Sequence, residues 1–340
     1  MNKTEIQIKW EHLSDEELMK MRIRDFHLSI EGTPLEAMID KLYEELSAGG
    51  INFHPPCYLA DEWLNPDKEP IIGIPFYLAH PRLQQIEQKM MYEVEGGTDV
   101  TCMQLLRHEA GHSLNYAYEF YKKTRWRELF GPFSLKYSDS YYSQPYSKRF
   151  VRHLGDNYAQ AHPDEDFAET FAVWLTPGNS WQNKYKDWPA LKKLTYVDSL
   201  VKNIAGKPPI QKSVGNPPWS ASRMTSTLEG YYERKRKLLK EEFKGFYDEP
   251  LMKLFCAKHI SQSNEKASKI LRQYRQELVN NISNCTGHRK FDIHELIDKL
   301  MQRCDALELY GKDKDITAIA VLVTTIVSNT LRIRKNGEHK

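Results

Sequence analysis

Apolar positions along the chain follow two rhythms, and the change from one to the other predicts its elements. Residues 21–30 and 51–60 are short stretches of strand-like composition. Between them, Thr33-Pro34-Leu35-Glu36 predicts a helix start: Thr as cap, Pro in the first turn, Glu completing a capping box. Gly49-Gly50 ends that helix. Residues 71–80 (IIGIPFYLAH) are apolar, β-branched and aromatic, and their proline predicts an edge strand. Helices are expected over about 82–92 and 99–123, separated by Gly96-Gly97. The Tyr-, Ser- and Pro-rich stretch 126–151 reads as an irregular loop, and another helix is expected over 163–175. Strands and helices mixed in this way predict an α+β fold.

The later part of the chain carries helical periodicity over about 227–247, 264–282, 292–309 and 317–332. Residues 206–223 hold Pro208-Pro209, Gly215 and Pro217-Pro218, which cannot continue a helix and read as a linker or wrapping arm. The expected organisation is therefore a domain over 1–205, an arm over 206–223 and a helical C-terminal domain over 224–340.

Composition narrows the class. The 340 residues include 48 Lys+Arg against 46 Asp+Glu and 40% apolar residues, enough to bury a core and too balanced for a disordered chain. Residues 1–215 carry a net charge of −5 and residues 216–340 a net +7, so the two halves differ in character. The basic run Arg234-Lys235-Arg236-Lys237 is interleaved with acids and reads as a solvated helix face, so no specific nucleic acid partner is expected. The longest strongly apolar run, 316–328, falls short of the roughly 20 residues that span a bilayer, so no membrane partner is expected. The first residues, Met-Asn-Lys-Thr-Glu, lack the apolar core of a secretory signal, and a cytoplasmic location is expected. Five widely spaced cysteines without a C-x-x-C pair argue against a disulfide frame and against a cysteine zinc cluster.

Chemistry enters at His108-Glu109-Ala110-Gly111-His112, an H-E-x-x-H segment of the 99–123 helix. Imidazoles four residues apart share one helix face, so both can reach one zinc ion, and Glu109 is placed to hold the metal's water. A catalytic zinc also needs a third protein ligand and an open fourth position. The metzincin pattern would put Gly at 115 and His at 118; Asn115 and Tyr118 exclude it. On the helix opened by Pro163, Glu165 and Glu169 stack one turn apart. One glutamate on zinc and the other on a ligand histidine's free N–H would satisfy both. Asp164 fits a solvated helix start favoured by the macrodipole. His162 reads as a helix cap, with a fourth ligand or substrate contact as the alternative, and His153 reads as a loop histidine. Tyr137, Tyr141, Tyr142 and Tyr146 either line a peptide cleft or pack over the core.

HEAGH together with Tyr158-(x)6-Glu165-x-Phe167-Ala168-Glu169-x-Phe171 resembles the gluzincin metallopeptidases related to lethal factor and the Pro-Pro endopeptidases. It is more closely similar to the bacterial zinc-binding metallopeptidases carrying HPxEDFAE[TS][WF]A. The resemblance implies a zincin-like domain: a small mixed sheet, the active-site helix and a second, ligand-bearing helix. It also implies one zinc per chain on His108, His112 and Glu165, Glu169 bonded to a ligand histidine, Glu109 as general base and Tyr158 as oxyanion donor, acting on a peptide or protein. The substrate-specific loops of the better-known relatives have no counterpart here. If residues 71–80 border the cleft, an extended peptide could add to them as a strand. The alternative class is a binding module, for nucleic acid or protein, in which the basic helical half does the work and the zinc site is structural or degenerate.

Overall fold

A computed structural model of the chain describes residues 10–137, 140–141, 144, 146–155, 157–213, 215, 217–239, 247–257, 265–311, 316–329 and 333–334. It divides into two compact units, one of Met1–Met90 with Val94–Lys235 and the other of Met91–Glu93 with Arg236–Lys340. Among the described residues no helix is long and apolar enough to cross a membrane.

The first unit mixes helices with a small sheet. After helix α1 (Asp15–Lys20), residues 21–30 form no strand; they make a 3-10 turn over Ile23–Phe26. Ile23 and Phe26, three apart, are both buried by that turn, while the amides of Ile23 and Arg24 bond the carbonyls of Ser226 and Met224. Helix α2 (Pro34–Ala48) starts where expected, but the expected capping box does not form: the Thr33 hydroxyl donates to the Ile30 carbonyl, and Glu36 accepts from the Gly32 amide, one residue before the cap. Strands β1 (Cys57–Ala60) and β2 (Ile72–Pro75) pair in parallel, with Tyr58 opposite Gly73. On its other side Gly73 bridges Leu64, its amide donating to the Leu64 carbonyl at 2.8 Å. All four β2 residues are buried. β2 is thus an edge strand of a two-stranded sheet, as its proline predicts, but at Gly73 the outer edge is already taken by Leu64, which leaves a peptide little of it to extend; beyond Pro75 the chain turns into a 3-10 segment, Phe76–Ala79.

Helix α3 (Pro81–Met91) leads to the central helix α4 (Asp99–Ala117), which ends six residues before the 123 expected. Its start is fixed by reciprocal bonds between Thr98 and Thr101. From Leu105 to Ala117 every residue is buried, so α4 is enclosed on all sides. Arg107 anchors it to α2 through two 2.7 Å bonds to the Glu45 carboxylate. Helix α5 (Thr124–Phe130) occupies part of the stretch expected to be irregular. Helix α6 (Pro163–Leu175) packs along α4 and is backed by α8 (Leu191–Ile204), which follows the short α7 (Trp181–Lys184). Within the stretch read as a linker or arm, the amides of Ile210 and Gln211 bond the Ala117 carbonyl of this unit. Helix α9 (Leu228–Leu239) follows, and the division between units falls within it.

The second unit contains α10 (Asp248–Leu254), α11 (Ala267–Gln273), α12 (Arg275–Thr286), α13 (Lys290–Ala306) and α14 (Ile316–Asn329). The helix expected over 264–282 is broken at Tyr274, between α11 and α12. This unit is not purely helical: β3 (Cys256–Ala257) and β4 (Glu265–Lys266) both pair antiparallel with β5 (Leu309–Gly311). Its core, including Leu271, Val279, Leu296, Leu300 and Val323, is its own.

Candidate active site

Two buried helices build the site, and a glycine lets them meet. A Cβ added to Gly111 of α4 would stand 2.8 Å from Cα of Ala168 in α6 and 3.0 Å from its carbonyl oxygen, so only glycine permits this crossing. His108 and His112 then face Glu165 across the contact. The His108 Nε2 lies 3.1 Å from Glu165 Oε2, His112 Nε2 lies 3.2 Å from the same oxygen, and the two nitrogens are 3.2 Å apart. Ligands at 2.0–2.1 Å from a tetrahedral zinc stand about 3.3 Å from one another, so this triangle has the dimensions of three corners of such a site. Among the described residues it is the one group of three or more such side chains able to hold a metal ion.

What lies behind the triangle supports the same reading. Nδ1 of His108 is 2.9 Å from Glu169 Oε1, while the other Glu169 oxygen accepts from the Leu154 amide at 3.0 Å. Nδ1 of His112 is 3.0 Å from Asp164 Oδ2, approached at an angle poorer than a straight hydrogen bond. Asp164 is buried, not solvated: it accepts from Asn115 Nδ2 at 2.7 Å and from the Tyr116 hydroxyl at 2.6 Å. A proton kept on each Nδ1 by a carboxylate leaves the Nε2 lone pairs aimed at the shared centre. Asp164 is the participant the sequence reading missed. Its signal was present in Asn115 and Tyr116, three and four residues after His112 on the same helix face.

Electrostatics follow from burial and charge density. Burial pulls the His108 pKa down, but the hydrogen bonds to Glu165 and Glu169 outweigh it and raise it to about 9. For His112 burial is likewise outweighed, by Asp164 and Glu165, and the pKa ends well above its usual value. Burial would lift Glu165, yet the two histidines hold it far below the usual carboxylate range. Glu109, buried beside His108, is pushed up to about 6 by desolvation, against the pull of both histidines. A cluster that gathers this much charge in a dry pocket is suited to a divalent cation.

The remaining candidates divide clearly. Tyr158 opens a 3-10 turn before α6, its ring centroid 5.6 Å from that of His108. His162 caps α6: its Nδ1 accepts from the Asp164 amide at 3.1 Å and its Nε2 donates to the Leu135 carbonyl at 2.7 Å, so neither nitrogen faces the triangle. His153 bonds the Gln104 carbonyl at 2.9 Å, and burial lowers its pKa. Tyr137 reaches the site, donating to Glu165 Oε1 at 3.2 Å; Tyr146 is 93% exposed and lines nothing. Tyr142 and the side chain of Tyr141 lie outside the described residues.

No curated protein and no solved structure matches the chain. Residues 87–184, the segment that contains both site helices and the residues between them, match the family model described as "Putative zinc-binding metallo-peptidase".

Proposed function

We propose that this chain is a zinc-dependent metallopeptidase that hydrolyses peptide bonds of a protein or peptide, with one zinc per chain on His108, His112 and Glu165. The observation that carries the proposal is the buried Nε2, Nε2, Oε2 triangle with both Nδ1 atoms turned to carboxylates. Zinc bound there supplies a Lewis acid that polarises the scissile carbonyl and acidifies a water molecule. Glu109 takes the proton of the attacking water and passes it to the leaving amine. Its elevated pKa suits a group that must gain and lose a proton near neutrality. Tyr158, beside His108, donates its hydroxyl to the oxyanion of the tetrahedral species. Glu169 and Asp164 hold the imidazoles in the required tautomer and orientation.

The unit is thus a zincin-like gluzincin in the proposed reading, supported by the E-x-x-x-E spacing on α6 and by the family match over residues 87–184. A binding module with a structural zinc would call for four protein ligands closing the ion. Three converge here among the described residues, with an unused carboxylate beside them. The deciding experiment compares zinc content and peptide-bond hydrolysis of wild type and Glu109→Gln, scored by new N-termini in a proteome digest. Zinc in both and new termini from wild type alone is the expected result; zinc without hydrolysis in wild type overturns the peptidase assignment.

A further inference from the structure

Glu165 uses one oxygen on the triangle and has the other held. Its Oε2 faces both histidines, whereas its Oε1 accepts from the Tyr137 hydroxyl at 3.2 Å. Tyr137 is itself fixed: its ring stacks on His162 with centroids 3.7 Å apart and planes 20° from parallel. His162 is in turn locked at both nitrogens, capping α6 through the Asp164 amide and holding the same loop by the Leu135 carbonyl. The loop that carries Tyr137 is therefore clamped to the first turn of the helix that carries Glu165.

We infer that Tyr137 is a positioning residue that keeps Glu165 a one-oxygen ligand, with the His162 ring as its anchor. The inference rests on the metal reading above. A carboxylate free to swing can offer both oxygens to a cation and take up the position a catalytic zinc must leave open. A hydroxyl bonded to Oε1 occupies that oxygen, so the hydrogen bond opposes two-oxygen binding. This gives Tyr137 a different place from Tyr158, whose ring lies against that of His108. It also gives the His162–Tyr137 stack a purpose that capping alone does not require, since the cap uses only one ring nitrogen.

The test uses the full-length protein and two metals. Tyr137→Phe keeps the ring and its stack while removing the hydroxyl. Zinc affinity is measured by competition with a chromogenic chelator, and the visible spectrum of the cobalt-substituted protein reports coordination number, four-coordinate cobalt absorbing far more strongly than five- or six-coordinate. The expected result is zinc affinity about 10–100-fold weaker than wild type, with weakened cobalt bands that mark a higher coordination number. His162→Asn, which retains a side-chain cap but not the stack, should shift the cobalt spectrum in the same direction. Wild-type affinity and an unchanged cobalt spectrum in Tyr137→Phe overturn the inference and leave the metal site standing. A wild type that binds neither zinc nor cobalt overturns the metal reading itself, and this inference with it.

Discussion

Gly111 and Ala168 are in van der Waals contact through backbone: a Cβ on the first would fall 2.8 Å from Cα of the second. No rotamer change relieves a clash with main chain, so Gly111→Ala must push α4 and α6 apart. Alanine recovers about 1 kcal/mol of helix propensity, and overpacking of this kind costs about 1–3 kcal/mol. The helices also carry the candidate ligands, so separation spreads the triangle. Gly111→Ala is expected to melt below wild type in chelator and to bind zinc more weakly. A variant with unchanged melting and zinc affinity would show that the crossing has slack.

The two helices also predict a rank order among the acids. Glu165→Ala should abolish zinc binding, because it deletes one corner of the triangle. Glu169→Ala and Asp164→Ala should each weaken affinity by about 10–100-fold, by freeing the imidazole they orient. Chelator competition on the three variants decides the order, and a greater loss in Glu169→Ala than in Glu165→Ala would mean the ligand lies one helical turn further on.

These relationships show what a sequence can carry. Spacing within one helix is local, so His108, Glu109 and His112 were legible, as were the limits of α6, marked by His162-Pro163 and a first turn of three acids. Asp164 was misjudged because burial at a helix start depends on what packs there, here Asn115 and Tyr116 from a helix nearly fifty residues away. Helix α8 went unseen behind a Lys-rich start, although Leu194, Val197, Leu200, Val201 and Ile204 give it a buried stripe. The proline of residues 71–80 pointed to an edge, and Pro75 does close an edge strand; the Leu64 bridge that covers this edge at Gly73 comes from a loop and has no period to read. The hydroxyl of Tyr137 on Glu165 links residues from a loop and a helix whose spacing has no period to read.

As the proposed general base, Glu109 should set an acid limit on turnover. A general base works only when deprotonated, and burial raises this carboxyl to about 6. Bound zinc would take over the positive charge that the two protonated imidazoles carry in the metal-free site, so the acid limb is expected in the same region. Hydrolysis by the zinc form is expected to fall on the acid side with an apparent pKa near 6, and Glu109→Gln should lower kcat by at least about 10²-fold while keeping zinc. An acid limb well above 6 would assign it to another group.

As a proposed zinc ligand, His108 should be contested between zinc and protons. Its pKa, raised to about 9 in the metal-free site, means that zinc must displace a proton throughout the neutral range, so affinity is expected to climb as pH rises toward 9. The metal-free stability runs the other way. A group whose folded pKa lies above its unfolded value near 6.5 stabilises the fold fully below 6.5, and that contribution is lost as pH rises to about 9. Chelator-treated protein should therefore lose this part of its stability between pH 6.5 and 9, with the loss restored by zinc; calorimetric titration in buffers of different protonation enthalpy counts the released protons. Zinc binding without proton release at pH 7.5 would remove the His108–Glu165–Glu169 proton network from the account.

Each unit holds an apolar core of its own, and this yields a prediction that needs no substrate. Leu296 is fully buried on α13 among Ile293, Ile297 and Leu300. Leu296→Ala should cost about 2–5 kcal/mol, the sum of lost transfer energy and the cavity left behind. The candidate ligands all belong to the other unit. Scanning calorimetry of the full chain should then resolve two transitions, one raised by zinc and insensitive to Leu296→Ala, the other lowered by the substitution and indifferent to zinc. A single transition moved by both would show that the two cores unfold as one cooperative block.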